Sequence, residues 1–197
     1  GMTIAQLGKS TNDVLVCGVE RNNQIYIPTG DFELKAGDML SFVAPAKKVS
    51  DFLKQIGFKT NKVKNTMIIG GGDAGYYLAK RLSDNGIDVC LIDKDKERCE
   101  EIATLLPKVV VINGNGVDED LLNEEGLQSA ESFVTLTGSD EENILLTVHA
   151  KQFSNAKLVT KINRIRFKDA INTLDIGSVI YPRYITSEAI IAYVRAK

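Results

Sequence analysis

Hydrophobic and polar positions follow two different patterns along the chain. Before about residue 57, short runs of β-branched and apolar residues alternate with turn residues, a pattern typical of strands. Apolar positions then recur at helical spacing from Val49 to Ile56, and Gly57 is placed to end that helix. We therefore expect a small α+β unit over residues 1–57, with strands at 13–21, 24–27 and 39–44.

The polar stretch at 58–65 has the composition of a linker, and after it strand-like and helix-like runs alternate. Ser139 and Glu142 have the spacing of a capping box, which predicts that a helix begins near Asp140. Alternating strands and helices predict an α/β domain over residues 66–197 with a doubly wound, parallel Rossmann sheet. The six expected strands lie at 66–70, 88–92, 109–112, 132–136, 157–162 and 177–181.

Three glycines follow the first of these strands with G-x-G-x-x-G spacing, at Gly70, Gly72 and Gly75. The first allows a tight turn, the second lets backbone approach a pyrophosphate, and the third lets the next helix pack on the strand. Asp93 ends the second strand, where a carboxylate accepts hydrogen bonds from ribose hydroxyls and disfavours a 2′-phosphate. The pattern therefore favours NAD or an adenosine ligand over NADP. In the alternative, the glycines only pack a helix and Asp93 caps the next one.

Charge and composition narrow the classes of partner. The chain has 24 basic and 26 acidic residues, for a net charge of −2, which gives no electrostatic reason to expect nucleic acid or an anionic membrane surface as a direct partner. No apolar run approaches the roughly 20 residues that span a bilayer. The three cysteines are too few and too scattered for a disulfide framework or a zinc site. We expect no metal site and a reduced, cytoplasmic setting.

These motifs resemble those of the TrkA family, the nucleotide-binding regulators of Trk and Ktr potassium uptake systems, whose domains are called RCK domains. The resemblance covers most of residues 66–163, through the segments 68–79, 91–93, 112–118 and 133–143. Residues 3–57 resemble the C-terminal RCK subdomain, which in the family follows a Rossmann half instead of preceding one. The chain is therefore similar to an interior fragment of a tandem protein, in which the end of one unit is joined to the nucleotide domain of the next.

The resemblance also implies ligand-binding residues beyond the glycine loop. Gly114 and Asn115 are expected near the adenine end of the pocket, and Thr137 and Asp140 in the crevice after the fourth strand. The full set of expected nucleotide-binding residues is Gly70, Gly71, Gly72, Asp73, Ala74, Gly75, Asp93, Lys94, Arg98, Gly114, Asn115, Thr137, Gly138, Asp140 and Lys161. Asn163 follows Lys161 toward the same cleft.

Several of these residues have a simpler alternative role. Arg98 and Lys161 could be solvated surface charges, Thr137 a strand-end hydroxyl, and Asn115 a turn former. Two positions also depart from the family pattern: Asp73 stands where many members carry arginine, and Asn115 stands where aspartate is usual. Because a carboxylate repels a pyrophosphate, Asp73 is expected to weaken binding or to shift it toward a less charged ligand.

The implied function is that of a regulatory subunit, not an enzyme. The subunit would bind NAD(H) or ATP/ADP without turnover, form a homo-oligomer through its RCK domains, and control a membrane-embedded potassium transporter subunit from the cytoplasmic side, peripheral to the inner face of the cell membrane. One alternative is an NAD-dependent oxidoreductase, and another is a second-messenger or ion sensor acting through residues 1–57.

Two observations disfavour the oxidoreductase. Only residues 182–197 follow the last expected strand, too few for a substrate domain. The single histidine, His149, lies deep in an expected helix and is interpreted as a satisfied structural residue and not a catalytic one. In the resembled family, an amphipathic helix such as the one expected at 185–196 packs on a neighbouring subunit. Its alternative is to fold back on its own sheet.

Overall fold

The computed structural model describes residues 2–8, 14–22, 24–57, 62–164, 171, 173–174 and 176–195. The chain divides into two compact units, Gly1–Lys62 and Val63–Lys197. That division falls inside the expected linker, of which residues 58–61 lie outside the described part of the chain. Asp13, the first residue of the strand expected at 13–21, also lies outside it.

The first unit is built on a three-stranded antiparallel sheet with the order β2-β1-β3. The three expected strands and the expected helix are all present, and the short helix near the start is an addition that the pattern did not predict. Val19 and Phe52 are its most deeply buried apolar residues besides Leu7. The elements are α1 (Ile4–Gly8), β1 (Leu15–Arg21), β2 (Gln24–Tyr26), β3 (Met39–Val43) and α2 (Ala46–Gln55).

The second unit contains a six-stranded sheet with the order β6-β5-β4-β7-β8-β9, and every neighbouring pair is parallel. This confirms the doubly wound Rossmann sheet. Its strands are β4 (Asn65–Ile69), β5 (Asp88–Asp93), β6 (Val110–Asn113), β7 (Ser132–Thr135), β8 (Lys157–Lys161) and β9 (Ser178–Ile180). Its helices with both bounds among the described residues are α3 (Asp73–Asp84), α4 (Lys96–Leu105), α5 (Glu119–Glu124), α6 (Asp140–Phe153) and α7 (Pro182–Arg195), with a 3₁₀ turn at Leu127–Ser129.

Both faces of this sheet are covered, because strand residues alternate between two cores. Met67 and Ile69 of β4 pack with residues of α5 and α6, whereas Ile68 between them packs with residues of α3 and α4. The chain runs outward from β4 to β6 and then returns to β7 on the other side of β4. The strand order therefore reverses between β4 and β7, and a crevice opens at the carboxyl ends of the strands.

The last helix, α7, differs from the others because every residue from Arg183 to Arg195 is exposed. The alternative in which this helix folds back on its own sheet is therefore wrong. Its exposed side chains include Tyr184, Ile185, Ile190, Ile191, Tyr193 and Val194. None of the described helices combines the length and apolar character needed to cross a bilayer.

Candidate functional site

A cavity of about 520 Å³ lies at the carboxyl ends of β4, β5, β7 and β8, at the reversal of strand order. We call it the cleft. Eight of the expected residues line it: Gly70, Gly72, Asp93, Lys94, Asn115, Thr137, Gly138 and Lys161. Seven do not: Gly71, Asp73, Ala74, Gly75, Arg98, Gly114 and Asp140. The lining residues that the sequence did not single out as ligand contacts are Ile69, Ile92, Gly116, Leu136, Ser139, Glu142 and Leu146.

The three motif glycines have different surroundings. Gly70 has a φ of +110°, and a Cβ there would lie 2.8 Å from the carbonyl carbon of Leu136. A Cβ on Gly75 would collide with the carbonyl oxygen of Gly70, so the close approach of α3 to the strand requires glycine at this position. A Cβ on Gly72 would meet nothing within 4 Å. The glycine at 72 therefore leaves open space in the cleft, whereas the other two are required by the fold.

Asp93 joins the glycine loop to the end of β5. Its Oδ2 accepts a hydrogen bond from the Gly71 N–H at 2.5 Å, and its Oδ1 accepts one from the Asp95 N–H at 2.8 Å. A carboxylate has about four acceptor positions, so capacity remains for a ligand hydroxyl. The residue that caps α4 is Asp95, whose side chain accepts from the Arg98 N–H. The alternative that Asp93 caps the next helix is therefore wrong.

Arg98 lies behind the glycine loop and not free in solvent. Its Nε donates to the Gly71 carbonyl at 2.8 Å, and its Nη1 pairs with Glu101 at 2.6 Å. The hydrogen bond to Glu101 is the main reason that the pKa of Arg98 is raised. Asp73, whose side chain is 95% exposed, lies 3.7 Å from the Arg98 Nη2. The unusual carboxylate thus has a counter-charge at the mouth of the loop, although an exposed pair of this kind contributes little stability.

The segment after β6 also lines the cleft, beside Asp93. Gly114 donates its N–H to the Asp93 carbonyl at 2.9 Å, and a Cβ there would collide with Leu121. Gly114 is therefore a packing residue beneath the cleft. Asn115 lines the cleft and also accepts from the Val117 N–H at 3.3 Å through its Oδ1, so its role as a turn former coexists with its position at the site.

Asn143, which is fully buried in α6, ties the ends of β7 and β8 together. Its Oδ1 accepts from the Thr137 N–H at 2.9 Å and from the Thr137 hydroxyl at 2.8 Å. Its Nδ2 donates to the carbonyl of Lys161 at 3.0 Å. The Lys161 ammonium in turn donates to the Leu136 carbonyl at 3.0 Å, and burial lowers the pKa of Lys161. Neither Thr137 nor Lys161 is thus a loose surface group.

Asp140 shapes the loop after β8 without lining the cleft. Its Oδ1 accepts from the backbone N–H of Asn163 at 2.8 Å and from the side-chain amide at 3.0 Å, and its Oδ2 accepts from the Arg164 N–H at 2.8 Å. The Asp140 carboxylate and the Asn163 amide are therefore hydrogen-bonded to each other and not directed at a ligand. The two residues expected at the ligand instead fix the loop that follows Lys161.

Only half of the expected capping box forms at the start of α6. The Glu142 N–H donates to the Ser139 hydroxyl at 3.2 Å, as in a capping box. The Ser139 N–H, however, donates to the Thr137 hydroxyl at 3.3 Å and not to the Glu142 side chain. The Glu142 carboxylate is consequently not used by the cap, and Glu142 is one of the residues that line the cleft. The capping motif was the only sequence signal at this residue, and it pointed to a helix start.

His149 lies away from the cleft, beside a separate hollow of about 310 Å³. Its Nδ1 is 3.7 Å from a carboxylate oxygen of Glu119, and its buried Nε2 has no hydrogen-bond partner among the described residues. The expectation of a fully satisfied histidine was therefore wrong for one nitrogen.

A further cavity of about 340 Å³ lies at the amino ends of β4 and β5, beside Cys90. Burial raises the pKa of the Cys90 thiol to about 11.

Comparisons with known sequences match both units. The TrkA-N domain family matches residues 66–182, and the TrkA-C domain family matches residues 1–57. The Trk system potassium uptake protein TrkA of Haemophilus influenzae is 31% identical over 183 residues, which are 93% of this chain and 40% of that protein. The trkA homolog 1 of Methanosarcina mazei is 33% identical over 173 residues, which are 87% of this chain and 43% of that protein. The chain thus spans about two-fifths of the length of these curated relatives.

Solved structures share the fold. The GsuK RCK domain superposes with a TM-score of 0.65 at 19% identity, covering 96% of this chain and 41% of that one. The GsuK channel bound to NAD gives 0.64 at 19% identity, covering 96% and 34%. The TrkA-N domain of the inner membrane protein ybaL from Escherichia coli gives 0.60 at 14% identity, covering 68% and 98%. With the family matches over both units and this shared architecture, the chain belongs to the TrkA family of potassium uptake proteins.

Proposed function

We propose that the cleft binds NAD(H) or an adenine nucleotide without turning it over, and that the whole protein uses this binding to regulate a potassium transporter. The observation that carries the proposal is the position of Asp93 beside an open glycine loop, at the point where the strand order reverses. In the proposed complex the carboxylate accepts hydrogen bonds from ribose hydroxyls, and backbone N–H groups at the start of α3 bind the pyrophosphate.

The relatives support the regulatory part of the proposal. The curated relatives carry the names of potassium uptake proteins, not of enzymes, and a GsuK channel with the same fold was solved with NAD bound. A ligand can shift a conformational equilibrium only if its affinity differs between the two states. The nucleotide would therefore favour one arrangement of subunits in a homo-oligomer over another, and a membrane-embedded potassium transporter subunit would respond at the cytoplasmic face of the membrane.

The first test is calorimetric titration of the chain with NADH, NAD, ATP and ADP at fixed salt. Gly72→Asp adds a side chain where a Cβ meets nothing in the protein, so it blocks the cleft and adds charge without straining the fold. Asp93→Asn removes the carboxylate that faces the ribose. We expect each change to weaken the tightest ligand by at least about tenfold, which corresponds to about 1.4 kcal/mol.

Asp88→Asn is the matched control, because Asp88 is an exposed carboxylate at the opposite end of β5. The affinity of the Asp88→Asn variant for the same ligand should equal that of the unsubstituted chain, which we call the parent chain. If none of the four nucleotides binds the parent chain, nucleotide sensing by this cleft is ruled out. The regulatory step is tested separately, by measuring potassium flux in vesicles that contain the full-length protein and its transporter, with and without the nucleotide that binds. Flux that does not change would remove the regulatory proposal.

A further inference from the structure

The cleft has two halves that meet over the glycine loop. On the side of β5 and β6, Asp93 and Asn115 form the half that suits an adenosine. On the side of β7, β8 and α6, the polar side chains that line the wall are Thr137, Ser139, Glu142 and Lys161. A nucleotide whose adenosine occupies the first half and whose phosphates cross the loop must place the rest of its structure in the second half. The second half therefore discriminates between nucleotides that share an adenosine.

The Glu142 carboxylate is the one acidic group of that second half. Glu142 is half-buried, and its carboxylate makes no hydrogen bond or ion pair within the described part of the chain. The cap at the start of α6 explains this freedom, because the Thr137 hydroxyl has taken the Ser139 N–H that a capping-box glutamate normally binds. A carboxylate left free in a polar wall is suited to accept hydrogen bonds from ligand hydroxyls.

Lys161 does not make the second half favour phosphate over ligand hydroxyls. Its ammonium already donates to the Leu136 carbonyl at 3.0 Å, so part of its hydrogen-bonding capacity is used within the protein. At full charge it balances Glu142, and the second half then carries no net charge from its side chains. Such a wall offers a terminal phosphate one attractive and one repulsive group, whereas it offers a ribose both an acceptor and a donor.

We propose that Glu142 is a specificity-determining residue that selects an adenine dinucleotide, through the hydroxyls of its second ribose, over an adenosine triphosphate. The inference rests on the proposed function, since it concerns the ligand of the same cleft. It narrows the ligand to the dinucleotide class and assigns the selection to a residue outside the glycine loop. Asp73 at the mouth of the loop offsets the charge of its partner Arg98, so this pair adds no net positive charge that would favour a triphosphate.

The test compares the affinities of NADH, ATP and AMP for the parent chain and for Glu142→Gln, by calorimetry in EDTA at fixed ionic strength. AMP reports on the adenosine half alone. Removing the charge should strengthen ATP binding and weaken NADH binding, so that the ratio of the two affinities changes by about tenfold, while AMP affinity stays constant. The backbone N–H of residue 142 still reaches Ser139 in the variant, so the helix cap is retained.

Glu141→Gln is the control, because it removes the same charge from the neighbouring exposed position, which does not line the cleft. The Glu141 carboxylate accepts from the Ser139 hydroxyl at 3.3 Å, and a glutamine oxygen can still accept that bond. It should leave the ratio of NADH to ATP affinity unchanged. A Glu142→Gln ratio equal to that of the parent chain, or an equal change in Glu141→Gln, would overturn the inference while leaving nucleotide binding intact. Failure of all three nucleotides to bind the parent chain would overturn the proposed function, and this inference with it.

Discussion

At the residue scale, Arg21 connects β1 to the turn before β3 through a paired contact with Asp38. The Nε and Nη2 atoms of Arg21 each lie 2.7 Å from a carboxylate oxygen, and the Lys35 N–H donates to the same carboxylate at 2.8 Å. The Asp38 side chain is only 3% exposed. The hydrogen bond from Arg21 is the main reason that the pKa of Asp38 falls from 3.8 to about 2. One side chain thus holds the turn and the strand together.

This pair predicts a pH dependence in the acid range. Because the pKa of Asp38 is lower in the folded state, its contribution to stability is complete above the unfolded pKa of 3.8 and is lost as pH falls toward about 2. We expect Asp38→Asn to reduce the stability of the first unit at neutral pH, and the difference from the parent chain to shrink between about pH 4 and pH 2. Denaturant unfolding as a function of pH measures this difference.

Asp51→Asn, which changes an exposed carboxylate of α2, is the control for that experiment. A direct measurement follows the Asp38 carboxyl carbon by NMR during acid titration. An apparent pKa close to the ordinary value of 3.8 would contradict the prediction, because it would mean that Arg21 does not engage the carboxylate in solution.

At the scale of elements, three buried threonine hydroxyls link α6 to the centre of the parallel sheet. Thr147 of α6 lies 3.2 Å from the hydroxyl of Thr135 in β7 and 2.8 Å from that of Thr160 in β8. The Thr147 hydroxyl also lies 2.8 Å from the Asn143 carbonyl. Asn143 begins the same polar layer and holds the ends of both strands at the cleft. The docking of α6 therefore depends on hydrogen bonds as well as on apolar contacts.

Thr147→Val should lower the free energy of unfolding by about 1–3 kcal/mol, because it removes a partner from two buried hydroxyls while keeping the shape of the side chain. Thr104→Val is the matched control, since the Thr104 hydroxyl makes the same bond to a carbonyl four residues earlier but does so at the surface. Chemical denaturation of both variants measures the difference. Equal stabilities would show that the buried layer contributes no more than a surface hydroxyl.

The local sequence pattern predicted the strands and helices well, because the features that determine each element lie in residues close to one another in the sequence. β5 is an apolar run, and Ser139 caps α6 as its position indicated. The roles of Glu142 and Asp140 could not be predicted in the same way. Glu142 leaves the cap only because Thr137 competes for the same N–H, and Asp140 is occupied by a loop 23 residues away. Such outcomes depend on which of several polar groups lies within hydrogen-bonding distance in the folded structure.

The glycine loop was predictable from the sequence, whereas the residue behind it was not. The spacing of Gly70 and Gly75 was enough to predict the tight turn and the close packing, because both demands arise within a few residues. Placing Arg98 behind the loop required the approach of α4, which no local pattern encodes. The sequence therefore predicted the centre of the cleft better than its walls.

At the scale of the whole molecule, α7 is the feature that indicates association. Its apolar side chains are exposed in a single chain, and a helix that is apolar over much of its circumference is normally covered. We expect the parent chain to associate through this helix, and Ile190→Glu to shift it toward the monomer by at least about tenfold in dissociation constant, since the charge would have to be buried. Analytical ultracentrifugation over a concentration series measures the shift.

Ala192→Glu introduces the same charge on the side of α7 that carries Glu188, four residues earlier, and provides the control. Its dissociation constant should remain close to that of the parent chain. A monomeric parent chain, or an equal effect of the two substitutions, would show that α7 does not form the contact.

The exposure of α7 also makes its secondary structure a thermodynamic variable. A 14-residue helix with no buried residue is only marginally stable in water on its own, since most helical stability in proteins comes from packing an apolar face. Folding of α7 and encounter with another subunit would then be one linked equilibrium, governed by mass action. Dilution would unwind the helix as it separates the subunits, so that far-ultraviolet ellipticity and melting temperature would both become functions of protein concentration.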